Sequence, residues 1–210
     1  GLERGELQMV PFASEPTVLK LAEANKSLQF IDRGYEGIGS ITWLAINTAK
    51  KPLDDVRVRK AIAYSLDKNF IVKALTGGYA KRADGPIISS SPFASKDLVI
   101  YEQNFEKANQ LLDEAGLKRG ADGTRFSVVI DQLPGADFGK TSAEYARSQL
   151  KKVGIDAKLR TSADFPSWAE RIASLEFDMT TDNVWNWGDP VIGVHRTFLS
   201  TNIRKVVWTN

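Results

Sequence analysis

The residues best suited to hold a ligand are concentrated in one short segment, residues 183–190. Its candidate binding residues are Asn183, Val184, Trp185, Asn186, Trp187 and Asp189. A tryptophan offers a flat apolar surface and one N–H donor, whereas asparagine and aspartate supply oriented hydrogen bonds. This mixture is typical of a pocket that binds varied small solutes. A structural role explains the same residues about equally well, because a tryptophan can fill the end of a sheet and Asp189-Pro190 can shape a turn.

Asp178 and Asp182 form the carboxylate pair that could perform acid–base chemistry. They are four residues apart on a predicted strand, so their side chains share one face. Paired carboxylates are the catalytic groups of glycoside hydrolases, which makes a carbohydrate hydrolase an alternative function. Carboxylates at strand ends more often accept structural hydrogen bonds, and no EF-hand spacing favours a metal here.

Other catalytic chemistry has little support in the sequence. The single histidine is His195, no serine lies in a Gly-x-Ser-x-Gly turn, and there is no cysteine. Residues 34–39 contain three glycines but lack the lysine of a phosphate-binding loop. We therefore expect a protein that is not an enzyme and that uses no cofactor and no metal.

The composition is that of an ordinary globular chain. Of the 210 residues, 42% are hydrophobic and 26% are charged, and the net charge is only +2. Scattered charges with so small an excess give no electrostatic reason to expect nucleic acid as a partner. No apolar run approaches the roughly 20 residues of a membrane helix. No signal peptide is visible at Gly1, and residues 206–210 read as a strand entering a turn, so we expect a fragment that is cut at both ends.

Alternating strands and helices must position these residues. Runs of apolar and β-branched residues predict strands over residues 40–47, 126–130, 155–160 and 177–183. Capping residues predict that helices begin near Asp54-Asp55, Asp67, Asn104, Thr141 and Asp164. The first of these should bury Val58, Ala61, Ile62 and Ser65; the second, Phe70, Ile71, Ala74 and Leu75. At Thr141 the capping signal is a capping box with Glu144.

The order of these elements predicts an α/β fold with a mixed, largely parallel sheet that is flanked by helices. In such sheets ligands bind beyond the carboxyl ends of the strands. Residues 132–140 and 184–191 each follow a predicted strand. We therefore expect both loops, and with them the tryptophan-rich segment, to lie at the ligand-binding edge.

Several motifs occur in the order found in one family of transport receptors. The most specific is residues 47–67, NTAKKPLDDVRVRKAIAYSLD. Shorter matches follow at residues 78–80 (GYA), 85–87 (GPI), 111–116 (LLDEAG), 150–155 (LKKVGI), 177–179 (FDM) and 189–190 (DP). Together they resemble the family 5 extracellular solute-binding proteins, which are the peptide, nickel and opine receptors of ABC importers.

The resemblance implies a periplasmic binding protein-like lobe that was exported to the periplasm. Residues 1–40 would be the end of the first lobe and the crossover, and residues 41–210 the second, ligand-binding lobe, truncated at its C-terminus. The implied partners are the permease subunits of an ABC transporter and a small solute, such as an oligopeptide or an opine. Neither nucleic acid nor integration into the membrane is implied.

One departure from the family pattern concerns the amino group of the ligand. In peptide-binding relatives an aspartate of the tryptophan-rich loop holds the ammonium group, and here that place falls on Asn186 or Trp187. Neither side chain is acidic, and a neutral hydrogen bond is about half as strong as a charge-assisted one. An opine, a sugar conjugate or a nickel complex therefore stays open beside a peptide. Trp168 resembles a cleft-side tryptophan of oligopeptide-binding members, or is a buried helix residue.

Overall fold

The computed structural model describes residues 1–202 except Phe12, Ser14 and Ala136, and it describes Asp137 and Arg196 by their backbone alone. The strand predicted at residues 206–210 lies outside the described residues. No helix among the described residues has the length and apolar character needed to cross a lipid bilayer.

The strands form one mixed sheet. They are β1 (Ser40–Ile46), β2 (Phe126–Gln132), β3 (Ile155–Thr161) and β4 (Met179–Trp185). Their order across the sheet is β1-β4-β2-β3, with β1 antiparallel to β4 and with β4, β2 and β3 mutually parallel. The mixed, largely parallel sheet predicted from the sequence is confirmed.

Helices cover both faces of this sheet. The α-helices are α1 (Pro16–Ala24), α2 (Val56–Ser65), α3 (Lys68–Phe70), α4 (Phe105–Glu114), α5 (Asp137–Lys152), α6 (Phe165–Ala173), α7 (Pro190–Gly193) and α8 (His195–Phe198). Short 3-10 turns occur at Leu2–Arg4, Tyr35–Gly37 and Ser200–Asn202, and a π-helical turn occurs at Ile71–Leu75. The helices α5 and α6 are the crossovers that join the parallel strands β2, β3 and β4.

Local signals set the ends of several helices. The Asp55 side chain accepts a hydrogen bond from the Arg57 N–H at 2.8 Å and caps α2. The residues that α2 buries are Val58, Ala61, Ile62 and Ser65, which confirms the predicted apolar face. Asn104 caps α4 and Asp164 caps α6 in the same way, as predicted.

The core consists of two apolar clusters on opposite faces of the sheet. One is formed by α2, α4 and α5 against β2 and β3, and it includes the fully buried Ile130 of β2. The neighbouring residue Asp131 faces the other side, where α6 contributes Trp168 to a smaller cluster with Ile172 and Phe177. The period-two alternation along β2 thus separates an apolar face from a face that contains a buried carboxylate.

Three sequence predictions are wrong in detail. Helix α5 begins at Asp137, so Thr141 lies inside the helix and not at its start. None of the residues predicted to be buried after Asp67 is buried: α3 is only one turn long and continues as a π-helical turn, and Phe70 is 45% exposed. Strand β4 ends at Trp185, two residues later than predicted, because its pairing with β1 continues to Ser40.

Candidate functional site

The predicted ligand-binding edge brings together two segments that are far apart in the sequence. Strands β2 and β4 are parallel, so Gln132 and Trp185 end at the same edge, and the antiparallel strand β1 begins there. The chain before β1 is hydrogen-bonded to the chain after β4: the Asn186 N–H donates to the Gly39 carbonyl at 3.0 Å. The Trp187 N–H donates to the carbonyl of Ile38 at 2.9 Å.

Two tryptophans form an aromatic surface at this edge. The rings of Trp185 and Trp187 have centroids 6.4 Å apart and planes inclined by 31°. Trp187 is 50% exposed, and its φ of 53° lies in the left-handed region, where a residue with a Cβ is strained by about 1–3 kcal/mol. Gly188 follows with a φ of 74°. A large apolar ring that is both exposed and held in a strained conformation is typical of a functional position.

Asn186, between the two tryptophans, is turned into the protein. It is 1% exposed; its Oδ1 accepts from the Ile88 N–H at 2.8 Å, and its Nδ2 donates to the Pro86 carbonyl at 3.1 Å. The amide therefore ties the loop around residues 86–88 to the end of β4. The family pattern makes Asn186 one of two candidates for the residue that holds an ammonium group. Its Oδ1 and Nδ2 are instead both hydrogen-bonded within the protein.

A hollow of about 250 Å³ lies between these segments. Its lining residues come from the turn before β1, the loop around residue 90 and the loop after β4: Glu36, Gly37, Ile88, Ser90, Ser91, Pro92, Asn186 and Gly188. Glu36 is the ionisable residue among them. Its Oε2 accepts from the Gly34 N–H at 3.0 Å. The pKa of Glu36 is lowered by hydrogen bonds from its own backbone and from that of Gly34, and to a smaller extent by the charge of Lys81.

Glu36 is the lining residue that the sequence gives no local reason to select. Residues 34–39 resemble a phosphate-binding loop only in their glycines, and nothing near Glu36 indicates a ligand site. The signal that could have found Glu36 is strand pairing: if β1 is antiparallel to β4, the turn before β1 must lie beside the loop after β4.

The remaining predicted residues of the segment have structural partners. Val184 is buried in β4, and Asn183 accepts a hydrogen bond from the Thr42 hydroxyl across the strand pair at 2.6 Å. Asp189 accepts from the Val191 N–H at 2.8 Å and caps the short helix α7. Of the predicted segment, Trp185 and Trp187 are the side chains that the structure places together at the surface of the edge.

Trp168 lies apart from this surface. It is fully buried on α6, and its Nε1–H donates to the Thr180 hydroxyl at 3.0 Å. Thr180 in turn donates to the backbone carbonyl of Asp131 at 3.0 Å. Of the two alternatives for Trp168, the structure places it as a core residue that supports the sheet near its ligand edge.

A buried ionic cluster lies beside Trp168. Asp131 has no exposed side-chain surface and accepts two hydrogen bonds from Arg160, both at 2.7 Å, and one from Arg171 at 2.9 Å. Arg171 also donates to the Ser162 hydroxyl at 2.8 Å. The Asp131 carboxylate raises the pKa of Arg160 through the hydrogen bonds between them. The cluster fixes β2, β3 and α6 relative to one another.

The carboxylate pair does not form an open site. Asp178 precedes β4 at the edge opposite to the tryptophans, where it accepts from Lys50 Nζ at 3.1 Å and from the Val129 N–H at 2.8 Å. Asp182 is buried and accepts from the Asn183 N–H at 2.6 Å. His195 is exposed at the start of α8. Within the described part of the chain, no three His, Cys, Asp or Glu residues are grouped as a metal site would require.

The fold defines a class of protein: an α/β domain whose mixed sheet is flanked by helices and whose two neighbouring tryptophans lie beyond the carboxyl ends of parallel strands, where such folds bind ligands. Residues 1–205 match the family model of the bacterial extracellular solute-binding proteins, family 5, middle region. The chain belongs to this family, as its motifs indicated.

The similarity extends to individual proteins and structures. The chain is 31% identical to the dipeptide-binding protein of Escherichia coli over 160 residues, which are 76% of this chain and 29% of that protein. It is 26% identical to heme-binding protein A of Haemophilus influenzae over 193 residues, 90% of this chain and 34% of that protein. The structure of HbpA2 from Haemophilus parasuis matches all of this chain and 41% of its own, at 28% identity and a TM-score of 0.79. The chain thus spans about a third of the length of these curated relatives.

Proposed function

We propose that this chain is the ligand-binding lobe of a receptor that binds a peptide-like solute and delivers it to the permease of an ABC importer. Family membership supports the transport role, and relatives named for dipeptides and oligopeptides support the ligand class. In this proposal the protein acts in the periplasm, residues 1–40 belong to the end of the first lobe and its crossover, and residues 41–210 form the second lobe.

The observation that carries the proposal is the exposed and strained conformation of Trp187. Trp187 is 50% exposed, so its ring is not a core residue of the lobe. The left-handed backbone turns the ring out beside Trp185, at the edge where α/β sheets bind ligands. Aromatic rings of this kind contact the apolar parts of a solute, and nearby backbone groups supply hydrogen bonds.

The size of the hollow supports a binding mode that needs a second lobe. Pockets that enclose a drug-sized ligand have volumes of about 300–1,000 Å³, whereas the hollow measures about 250 Å³ and is open on one side. Receptors that close two domains around a ligand bury it between them. We therefore expect the isolated chain to bind peptides weakly, and the full-length receptor that contains it to bind them well.

The experiment is isothermal titration calorimetry of the full-length receptor and of the isolated chain with a mixture of short peptides. Replacing Trp187 by alanine should weaken binding by at least about tenfold, because an aromatic anchor at a binding site contributes about 2 kcal/mol or more. Phe70→Ala is the matched control, since Phe70 is similarly exposed but lies on α3, where its ring stacks on Tyr145 and not on the tryptophan-rich segment. Tight binding by the isolated chain would contradict the two-lobe proposal, and equal binding by the Trp187 variant would contradict the proposed site.

We also propose that binding involves no catalysis. Asp178 is engaged by Lys50 and by a main-chain N–H, and Asp182 is buried within the sheet. A glycosidase would lose its activity in the double variant Asp178→Asn and Asp182→Asn, whereas a receptor has no turnover to lose. Measured hydrolysis of an oligosaccharide that disappears in the double variant would favour the hydrolase alternative.

A further inference from the structure

We infer that Glu36 is the charge partner of a cationic group on the ligand, and that the hollow beside the tryptophan-rich loop is the subsite for this group. Glu36 has this role only if the chain binds solutes as proposed above. The ligand class would then be a solute with an ammonium group, such as a peptide with a free amino terminus; the exposed carboxylate of the tryptophan-rich segment, Asp189, caps α7 instead of lining the hollow.

The position of Glu36 relative to the loop is fixed by the backbone. Glu36 lies in the 3-10 turn Tyr35–Gly37, and the residues directly after this turn are joined to the loop by the hydrogen bonds of Ile38 and Gly39. A Cβ on Gly188 would lie 3.8 Å from the Gly37 carbonyl oxygen, at ordinary van der Waals distance, so the loop and the turn are neighbours. Glu36 therefore lines the hollow from a turn that main-chain hydrogen bonds join to the loop after β4.

The carboxylate has capacity left to bind a cation. It accepts hydrogen bonds from the backbone of Gly34 and of Glu36 itself, which leaves acceptor sites on a carboxylate, and within the described residues no salt bridge engages Glu36. Lys81 acts on it only as a more distant charge. Because hydrogen bonds keep its pKa below the ordinary value, Glu36 stays ionised at neutral pH and can neutralise an ammonium group.

The other residues of the hollow fit a small polar head group. Ser90 and Ser91 bring hydroxyl groups, whereas Ile88 and Pro92 make the wall partly apolar. Asn186 contributes to the wall, but its amide is committed to the backbone of residues 86 and 88. Glu36 is thus the group in the wall that can distinguish a charged amine from its neutral, acylated form.

The test compares two probes on the full-length receptor, trialanine and N-acetyl-trialanine, by isothermal titration calorimetry. In the unaltered protein, acetylation should weaken binding by at least about tenfold, which corresponds to about 1.4 kcal/mol. In Glu36→Gln, which keeps an acceptor for the Gly34 N–H, the two probes should differ by less than about threefold. Glu36→Asp, which keeps the charge on a shorter side chain, should restore part of the difference. The control Glu106→Gln removes an exposed carboxylate on α4 and should leave the discrimination intact.

The outcomes separate this inference from the proposed function. If trialanine binds and Glu36→Gln discriminates between the probes as well as the unaltered protein does, the inference is wrong while the proposed function stands. The inference is also wrong, and the proposed function stands, if the unaltered receptor binds both probes equally. If neither probe binds, the peptide-like ligand class is wrong and Glu36 has no ammonium partner of this kind. Thermal unfolding of each variant confirms that a loss of discrimination does not arise from a loss of the fold.

Discussion

The family pattern and the structure give opposite expectations for the substitution Asn186→Asp. The pattern suggests that an aspartate here would supply the missing partner of a peptide ammonium group. In the structure the side chain faces inward, and its Nδ2 donates to the Pro86 carbonyl at 3.1 Å. An aspartate would place a carboxylate oxygen against that carbonyl oxygen, so we expect the variant to lose stability and to gain no affinity.

The magnitude follows from the two bonds that Asn186 makes. The bond from the Ile88 N–H to Oδ1 survives in Asn186→Asp, while the bond to Pro86 is lost. A lost hydrogen bond that leaves a buried acceptor without a partner costs about 1–3 kcal/mol. Desolvation of the new charge at a position that is 1% exposed adds to this. We expect a loss of about 2–4 kcal/mol in the free energy of unfolding, a large part of the about 5–15 kcal/mol that is typical of a domain.

The assay is urea unfolding followed by circular dichroism, with the slope of the transition checked for two-state behaviour. Burial raises the pKa of the new carboxyl in the folded state above its unfolded value of about 3.9. The folded variant then binds more protons than the unfolded one, so its deficit relative to the unaltered protein should shrink as the pH falls from about 7 to about 4.5. Asn69→Asp, at an exposed amide that accepts a hydrogen bond from Arg82, is the control and should change stability by less than about 0.5 kcal/mol. A stable Asn186→Asp variant with raised affinity for trialanine would refute the inward orientation.

Further predictions concern the neighbours of the site. Asp131→Ala should destabilise the chain by about 3 kcal/mol in urea unfolding, because it leaves two arginines without the buried carboxylate that binds them. Trp168→Phe should cost about 1–2 kcal/mol by loss of the hydrogen bond to Thr180, and calorimetry should find peptide affinity within about twofold of the unaltered value, since Trp168 is fully buried. Trp187→Gly should be more stable than Trp187→Ala by about 1 kcal/mol, because glycine adopts the left-handed backbone without strain. Equal stability of these two variants would contradict the strain at residue 187.

The fold was predictable where its signals are local. The caps of α2, α4 and α6 are short polar side chains that bind main-chain N–H groups two or three residues ahead, and such pairs can be read from adjacent residues. The buried face of α2 follows from helical spacing alone. The start of α5 was misplaced because Thr141 and Glu144 have the spacing of a capping box, although the chain is already helical from Asp137.

The site was predictable only in part, because its geometry depends on long-range pairing. The sequence indicates that the tryptophan-rich segment lies at the carboxyl edge of the sheet, since it follows a predicted strand. Whether Asn186 faces a ligand or the protein is decided by the loop around residues 86–88, which is about a hundred residues away. The position of Glu36 beside the loop after β4 is decided by the pairing of β1 with β4. Neither contact leaves a pattern in the neighbouring sequence.

Trp185, Asn186 and Trp187, at and just after the end of β4, differ in role because their side chains are oriented differently. Trp185 continues the strand, Asn186 anchors the chain to the loop around residues 86–88, and Trp187 is turned outward by its left-handed backbone. A position that anchors the backbone can change little without loss of stability, whereas an exposed ring and an exposed carboxylate can change freely. We therefore expect ligand preference to be altered by substitutions at Trp187 and Glu36, while substitutions at Asn186 alter stability first.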